Sequence, residues 1–272
     1  MKKLVISAAA SGDGKTTVSL GLMRALRRKG HVVQPFKVGP DYIDPGFHKA
    51  ACGRPGVNLD GWLLGERADE IMKDLLKRYT ADADVAVIEG VMGLYDGAGN
   101  DPMDCSTAAI SKLVGAKVLL VISPGASAAT AAAVAKGLFQ FRDLDAAGVI
   151  LNGVYSEEHY ESVKETMELH AGIRVFGYLP RREELQLESR HLGLTQSCEN
   201  KNIDLFLDKL AEAIEEHVDL ELLMETLGED ESYQDEPERK VGTASEAPSG
   251  TVKTAETAEK EAGELPTIAV AR

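Results

Sequence analysis

Cysteine is scarce in this 272-residue chain, and the three present (Cys52, Cys105 and Cys198) stand far apart. Neither a zinc spacing nor a paired disulfide set can be drawn from them. That excludes a small scaffold held by disulfides and predicts a reduced, cytoplasmic setting. The thiols match no nucleophile signature and are expected to be buried or incidental. Long apolar runs are also missing. None approaches the roughly 18–20 residues that cross a bilayer, so no membrane partner is expected. Positive charge is in deficit: 30 Lys and Arg face 44 Asp and Glu, a formal net charge of −14. So acidic a chain lacks the basic footprint that grips nucleic acid, and no nucleic-acid partner is expected.

What is present is a globular composition, 44% hydrophobic and 27% charged. The opening Met1-Lys-Lys-Leu-Val-Ile-Ser runs straight into a glycine-rich loop. It reads as a first strand, not as an export signal. Apolar runs suited to strands fall at residues 3–9, 32–38, 85–90, 118–122, 147–151 and 175–179. Near-continuous runs such as Val118-Leu-Leu-Val-Ile suit strands buried on both faces of a parallel sheet. Between and after them lie helical patterns at 17–28, 68–79, 106–114, 128–141, 158–170 and 203–217. This alternation predicts an α/β fold, a doubly wound and mostly parallel sheet of the P-loop NTPase type. Ligands of such sheets bind beyond the carboxyl ends of the strands.

Composition changes after Gly228. Residues 229–264 hold 11 acidic and 4 basic side chains and one aromatic, Tyr233. So little apolar surface cannot offset chain entropy, and a flexible acidic linker is expected there. Residues 265–272, Leu-Pro-Thr-Ile-Ala-Val-Ala-Arg, recover a strand-like pattern. The expected organisation is a domain over 1–228, a linker over 229–264 and the first strand of something further over 265–272.

The strongest motif follows the first strand: Ala8-Ala-Ala-Ser-Gly-Asp-Gly-Lys-Thr-Thr. Backbone N–H groups of such a turn wrap phosphate oxygens, and the helix behind adds its positive end. Ser11, Gly12, Gly14, Lys15, Thr16 and Thr17 are the candidate nucleotide-binding residues. Lys15 would reach the β- and γ-phosphates and the Thr16 hydroxyl would ligate Mg²⁺. Ala9 stands where the first glycine is usual. Ala10 stands where partition-type ATPases carry a second lysine.

Two further loops carry carboxylates. Phe36-Lys-Val-Gly-Pro-Asp-Tyr-Ile-Asp-Pro sets Asp41 and Asp44 beside Lys37, with Pro45 expected to keep the segment from continuing as a helix. These groups suit Mg²⁺ and phosphate, although aspartates also serve as turn caps. Glu89-Gly-Val-Met-Gly-Leu-Tyr-Asp-Gly begins with a carboxylate at the end of an apolar run. There it would be costly unless a metal ion or Lys15 relieved it. The glycines at 90, 93 and 97 are expected to let backbone approach a ligand. Trp62, the single tryptophan, is read as core and not as a ligand platform.

Taken in order, these segments, with Asn58-Leu-Asp, Gly148-Val-Ile-Leu-Asn and Arg190-His-Leu-Gly-Leu, resemble the ATP-binding half of the cobyrinic acid a,c-diamide synthase family, which is related in fold to dethiobiotin synthetase. The resemblance covers residues 1–228, and Thr267-Ile-Ala-Val-Ala-Arg is similar to the opening strand of that family's C-terminal glutaminase domain. It implies ATP and Mg²⁺ as cofactors, a tetrapyrrole polycarboxylate as substrate, and ammonia, or glutamine through the further domain, as nitrogen source. It leaves room for a homodimer.

The resemblance also implies roles. Thr16, Asp41 and Glu89 would hold the metal, and Lys15 and Lys37 would stabilise the transferring phosphoryl group. Asp44 and Asp96 would act at the substrate end. Tyr42, Arg190 and His191 would meet the ring, and Asn152 would read the adenine edge. The chain departs from the family pattern at Ala8, Ser123, Gly153 and Glu188. Two other readings stay open: a nickel-sirohydrochlorin a,c-diamide synthase, and a nucleotide-switched assembly ATPase that amidates nothing.

Overall fold

A computed structural model describes residues 1–185 and 202–228. Seven strands form one parallel sheet: β1 Lys2–Ala8, β2 Val33–Val38, β3 Val57–Leu59, β4 Val85–Glu89, β5 Lys117–Ile122, β6 Ala146–Val154 and β7 Val175–Pro180. Their order across the sheet is β3-β2-β4-β1-β5-β6-β7. The direction of strand addition reverses at β1, which pairs with β4 on one side and β5 on the other. The loop after β1 therefore lies at the switch point where doubly wound sheets bind ligands.

Among the described residues, eight α-helices cover the sheet: α1 Lys15–Arg28, α2 Asp44–Cys52, α3 Ala68–Tyr79, α4 Thr107–Val114, α5 Ala129–Gln140, α6 Glu157–Thr166, α7 Ile203–His217 and α8 Leu220–Leu227. Successive side chains of a strand point to opposite faces, and the two cores follow that rule. Leu4, Ile6 and Ala8 of β1 join Leu119 and Val121 of β5 under α1, α7 and α8. Val5, with Val118, Leu120 and Ile122, packs on the other face under α3, α4 and α5. Both faces are covered, which is why the strands read as continuous apolar runs.

Helix α7 is more deeply engaged than a surface element. It buries Ile203, Leu207, Leu210, Ala211, Ala213 and Ile214. Gly21 of α1 leaves room for Ile214; a Cβ there would lie 2.8 Å from its Cγ1. Arg24 pairs with Asp208 at 2.9 Å and Asp204 at 3.4 Å along the same seam.

The structure alters the expected map in four places. Residues 44–52 are helical despite Pro45, which sits in the first turn of α2. A proline there gives up an N–H that has no helical acceptor in any case. Strand β3 has only three residues, and α8 follows α7 after a short extended break at Val218. The helix expected over 158–170 ends at Thr166 and continues as a π-type turn over Met167–Ala171. The expected linker at 229–264 and strand at 265–272 lie outside the described residues, as does Cys198. Cys52 is buried and Cys105 half-buried.

Candidate active site

The first strand ends beneath a loop whose conformation depends on glycine. Gly12 and Gly14 have φ near 91° and 95°, in the left-handed region that side chains disfavour. The loop closes on itself: the Ala10 N–H donates to Asp13 Oδ2 at 2.9 Å, and Lys15 Nζ donates to the Ala10 carbonyl at 2.9 Å. Helix α1 starts at Lys15 with no acidic residue in its first turn, so its positive end is uncompensated toward the loop. From the other half of the sheet, Asn152 Nδ2 and Ser123 Oγ both donate to the Asp13 carbonyl, at 2.9 and 3.1 Å. A Cβ on Gly14 would overlap the Asn152 amide. Gly14→Ala is expected to be folded yet at least about tenfold weaker for nucleotide, since the loop must distort by an amount worth more than 1.4 kcal/mol. Isothermal titration with ATP checks this.

At the end of β4, Glu89 is fully buried. Its Oε1 accepts from the Thr16 hydroxyl at 2.6 Å and from Lys37 Nζ at 2.9 Å. Its Oε2 lies 2.8 Å from His48 Nε2, and His48 is fully buried too. Lys37 also reaches Asp44 Oδ2 at 2.6 Å and the Gly90 carbonyl at 3.2 Å. Three elements thus meet on one carboxylate: the first turn of α1 through Thr16, β2 through Lys37, and β4 itself. The sequence reading had assigned relief of this buried charge to a metal ion or Lys15; Lys37 supplies it.

Burial alone would raise the Glu89 pKa, but Lys37 and the hydrogen bonds from His48 and Thr16 outweigh it and hold the group well below the carboxylate range. Burial would lower Lys37, yet Glu89 and Asp44 keep it above the ordinary lysine value. Lys15 shifts the other way, lowered by burial and then by the charge of Lys37.

Asp44 is pushed up to about 6 by burial and then by Glu89, against the pull of Lys37. Its ordinary value is 3.8, so the native state holds this proton more tightly than the unfolded chain. Its contribution to stability is full below pH 4 and is lost as pH rises through about 6. Relative to Asp44→Asn, the native chain is expected to lose about 2 kcal/mol between pH 4 and 7. Urea unfolding across that range measures the difference; a flat difference would contradict the burial argument.

Asp41 acts on the backbone. Its Oδ1 accepts from the N–H groups of Ile43 and Asp44, at 2.8 and 3.0 Å, at the start of α2. Asp96 Oδ2 likewise accepts from the Gly93 N–H at 3.0 Å. The turn-capping use of aspartate is therefore realised at both positions. The glycines after β4 also face protein, not open space. A Cβ on Gly90 would lie 2.7 Å from Thr107 Cγ2, and one on Gly93 would lie 2.6 Å from the Ala9 carbonyl oxygen. Close approach is needed there between loops of this chain.

Tyr42 is 85% exposed and Trp62 is 70% exposed. Trp62 is not a core residue. Asp60 Oδ1 accepts from the N–H groups of Trp62 and Leu63, and the turn leaves the indole outside. Arg190 and His191 lie outside the described residues. His48 carries no role in the sequence reading, and Ser123 enters it only as a departure from the family pattern. His48 stands four positions after Asp44, a helical spacing that counts only once Pro45 is seen to open a helix.

Among the described residues, no three His, Cys, Asp or Glu side chains gather as a metal cage. The donor chemistry nevertheless suits magnesium with a nucleotide, which takes few protein ligands and several phosphate and water oxygens. Because Thr16 gives its proton to Glu89, its oxygen lone pairs remain for a cation. No helix among the described residues is long and apolar enough to cross a membrane.

Residues 4–194 match the family model described as the CobQ/CobB/MinD/ParA nucleotide binding domain. The chain is 44% identical over 226 residues to a cobyrinate a,c-diamide synthase of Listeria innocua, covering 83% of this chain and 50% of that protein. It is 45% identical over 230 residues to a hydrogenobyrinate a,c-diamide synthase of Rhodobacter capsulatus, covering 84% and 52%. The chain spans about half the length of these relatives. Among solved structures, the MinD cell division protein of Aquifex aeolicus aligns with a TM-score of 0.50 at 15% identity, covering 81% of this chain and 100% of that one. That likeness concerns the fold alone.

Proposed function

This chain belongs to the CobQ/CobB/MinD/ParA nucleotide-binding family, and on that premise we propose that it performs the ATP-dependent step in amidating the a- and c-acetate carboxylates of cobyrinic acid, in cobalamin biosynthesis. The observation that carries this reading is the meeting of Thr16 of α1, Lys37 of β2 and Glu89 of β4, beside the Lys15 loop. The names of the relatives supply the substrate class.

The chemistry explains why a phosphate site is needed. A carboxylate cannot lose oxide to ammonia. If a carboxylate oxygen attacks the γ-phosphorus of ATP, the bond to the β-phosphate oxygen breaks, giving ADP and an acyl phosphate. Ammonia then adds to the carbonyl carbon, the bond to the phosphate oxygen breaks, and an amide and inorganic phosphate leave. Lys15, in place at the loop, neutralises charge on the phosphoryl oxygens as it moves. Bound Mg²⁺ would spread that charge further. Thr16 offers the oxygen, Glu89 acts through the Thr16 hydroxyl, and Asp41 stands at the neighbouring tip.

Lys37 acts first on Glu89 and Asp44, fixing the floor of the site. Asp44 and Asp96 face the substrate end, Tyr42 lies against the ring, and Asn152 serves the adenine side. Arg190 and His191 would meet the ring carboxylates. Residues 1–228 form the ligase part in this reading. The nitrogen comes from free ammonia, or from glutamine through a further domain.

The relative from R. capsulatus favours a second reading at the ring, in which the cobalt-free hydrogenobyrinic acid is also accepted. Incubation with ATP, Mg²⁺, ammonium and each ring, followed by mass spectrometry, tests both. An ATP-dependent mass change at the acetates is expected. Its absence with cobyrinic, hydrogenobyrinic and nickel-sirohydrochlorin substrates would overturn the amidation reading; nucleotide-dependent self-association in its place would favour an assembly ATPase.

A further inference from the structure

We propose that His48 is a positioning residue that orients the Glu89 carboxylate, and through it the Thr16 oxygen, toward the nucleotide-bound metal. The inference rests on the nucleotide reading above, and it extends the site to a residue outside the loops that carry its motifs.

Geometry carries it. Glu89 has two oxygens and different elements occupy them: Thr16 and Lys37 donate to Oε1, and His48 Nε2 faces Oε2 at 2.8 Å. Without the contact on Oε2, the carboxylate plane could twist and carry the oxygen that accepts from Thr16 out of place. With it, the plane is held at both ends, and the acceptor of the Thr16 hydroxyl is fixed in position. The direction of that hydroxyl decides where its lone pairs point. A partner that holds a metal-side group in this way ordinarily tunes metal affinity.

The surroundings of His48 argue against a histidine present only to fill the core. Both His48 and Glu89 are fully buried, and among the described residues His48 Nδ1 meets no hydrogen-bonding group. A ring that only filled space would not need to set Nε2 against a buried carboxylate. Here the polar anchor of the ring is Glu89. Space on the other side is tight: a Cβ on Gly56 would lie 3.2 Å from His48 Nδ1 and 2.8 Å from Pro45 Cα. Glycine at 56 leaves the room that the ring and Pro45 occupy.

Helix α2 delivers the contact. Asp44 and His48 are four residues apart and share a face; the first reaches Lys37 and the second reaches Glu89. Asp41 covers the start of the same helix. One short helix therefore fixes both members of the buried Lys37–Glu89 pair.

The test measures nucleotide affinity with and without magnesium, in the absence of any ring substrate. Glutamine places its amide nitrogen near the position of ring Nε2 and can still donate to Glu89; asparagine falls short, and leucine has no donor. His48→Asn and His48→Leu are expected to bind ATP in EDTA within about twofold of the native chain. Both should lose about tenfold or more of the affinity that magnesium adds, in line with the effect of removing a partner behind a metal ligand. His48→Gln should recover most of it. The two loss variants differ in polarity, so one that fails to fold leaves the other to decide. A magnesium gain unchanged in a folded asparagine or leucine variant overturns the inference, as does equal loss in EDTA and magnesium. A native chain that binds no nucleotide overturns the nucleotide reading itself, and this inference with it.

Discussion

Replacing Lys37 by methionine is expected to lower the unfolding free energy by about 3–5 kcal/mol near neutral pH, the usual effect of stripping one member from a buried ion pair. Lys37 and Glu89 are both buried, and the ammonium touches Glu89, Asp44 and the Gly90 carbonyl. Methionine keeps the length and packing of the stem and removes the charge. The carboxylate of Glu89 is then left without its main compensation. The sign of the pH dependence follows. In the native chain Glu89 is held below its ordinary 4.5, so it supports the fold above that pH and loses its effect on acidification. In the variant burial dominates and the folded value rises above 4.5. The variant should then recover stability as pH falls, as Glu89 takes up a proton. Chemical denaturation at pH 5 and pH 8 separates the cases. Adding Glu89→Gln to Lys37→Met should restore part of the loss at pH 8. A single variant as stable as the native chain at pH 8 would contradict the pairing.

Lys15→Ala is expected to have the opposite profile: a loss of about 10²–10³-fold or more in the ATP-dependent step, with little change in stability. Lys15 Nζ contacts the Ala10 carbonyl, and burial and Lys37 lower its pKa. Burial and the nearby Lys37 charge work against its ammonium in the fold, which offsets the contact with the Ala10 carbonyl that alanine would forfeit. What the alanine variant lacks, on the function proposed above, is a cation at the β- and γ-phosphates. Single-turnover release of ADP in the presence of cobyrinic acid measures the step, and thermal unfolding of the same sample measures stability. A large stability loss would show that Lys15 holds the loop as well as the nucleotide. Lys37, near the end of β2, is set in a carboxylate floor, and Lys15, at the start of α1, is held by a main-chain carbonyl.

The sheet was legible because its strands are buried on both faces. Runs such as Val118-Leu-Leu-Val-Ile need no partner information to be recognised, and the phosphate loop announces itself by Gly-Lys-Thr after a strand. Strand β3 escaped notice because three residues carry no periodicity. Helix α2 escaped because Pro45 reads as a breaker unless one knows that Asp41 has already turned the chain and put proline in the first turn. His48 was lost with that helix. Trp62 reads as core in the sequence, whereas the Asp60 turn that exposes it is a matter of local hydrogen bonds. Thr16 and Lys37 do meet at Glu89 in the structure, but that Lys37 is the counter-ion and that Asp41 closes the turn before α2 required distances.

The carbonyl of Asp13 accepts two side-chain hydrogen bonds, from Ser123 beyond β5 and Asn152 near the end of β6. A phosphate loop moored on that side cannot reshape around a triphosphate without pulling on both tethers. Arrival of ATP should therefore leave an imprint well away from the carboxylates, as slower deuterium uptake at residues 122–124 and 151–154. A chain whose Asn152 is replaced by alanine should take up label there at the same pace, loaded or empty.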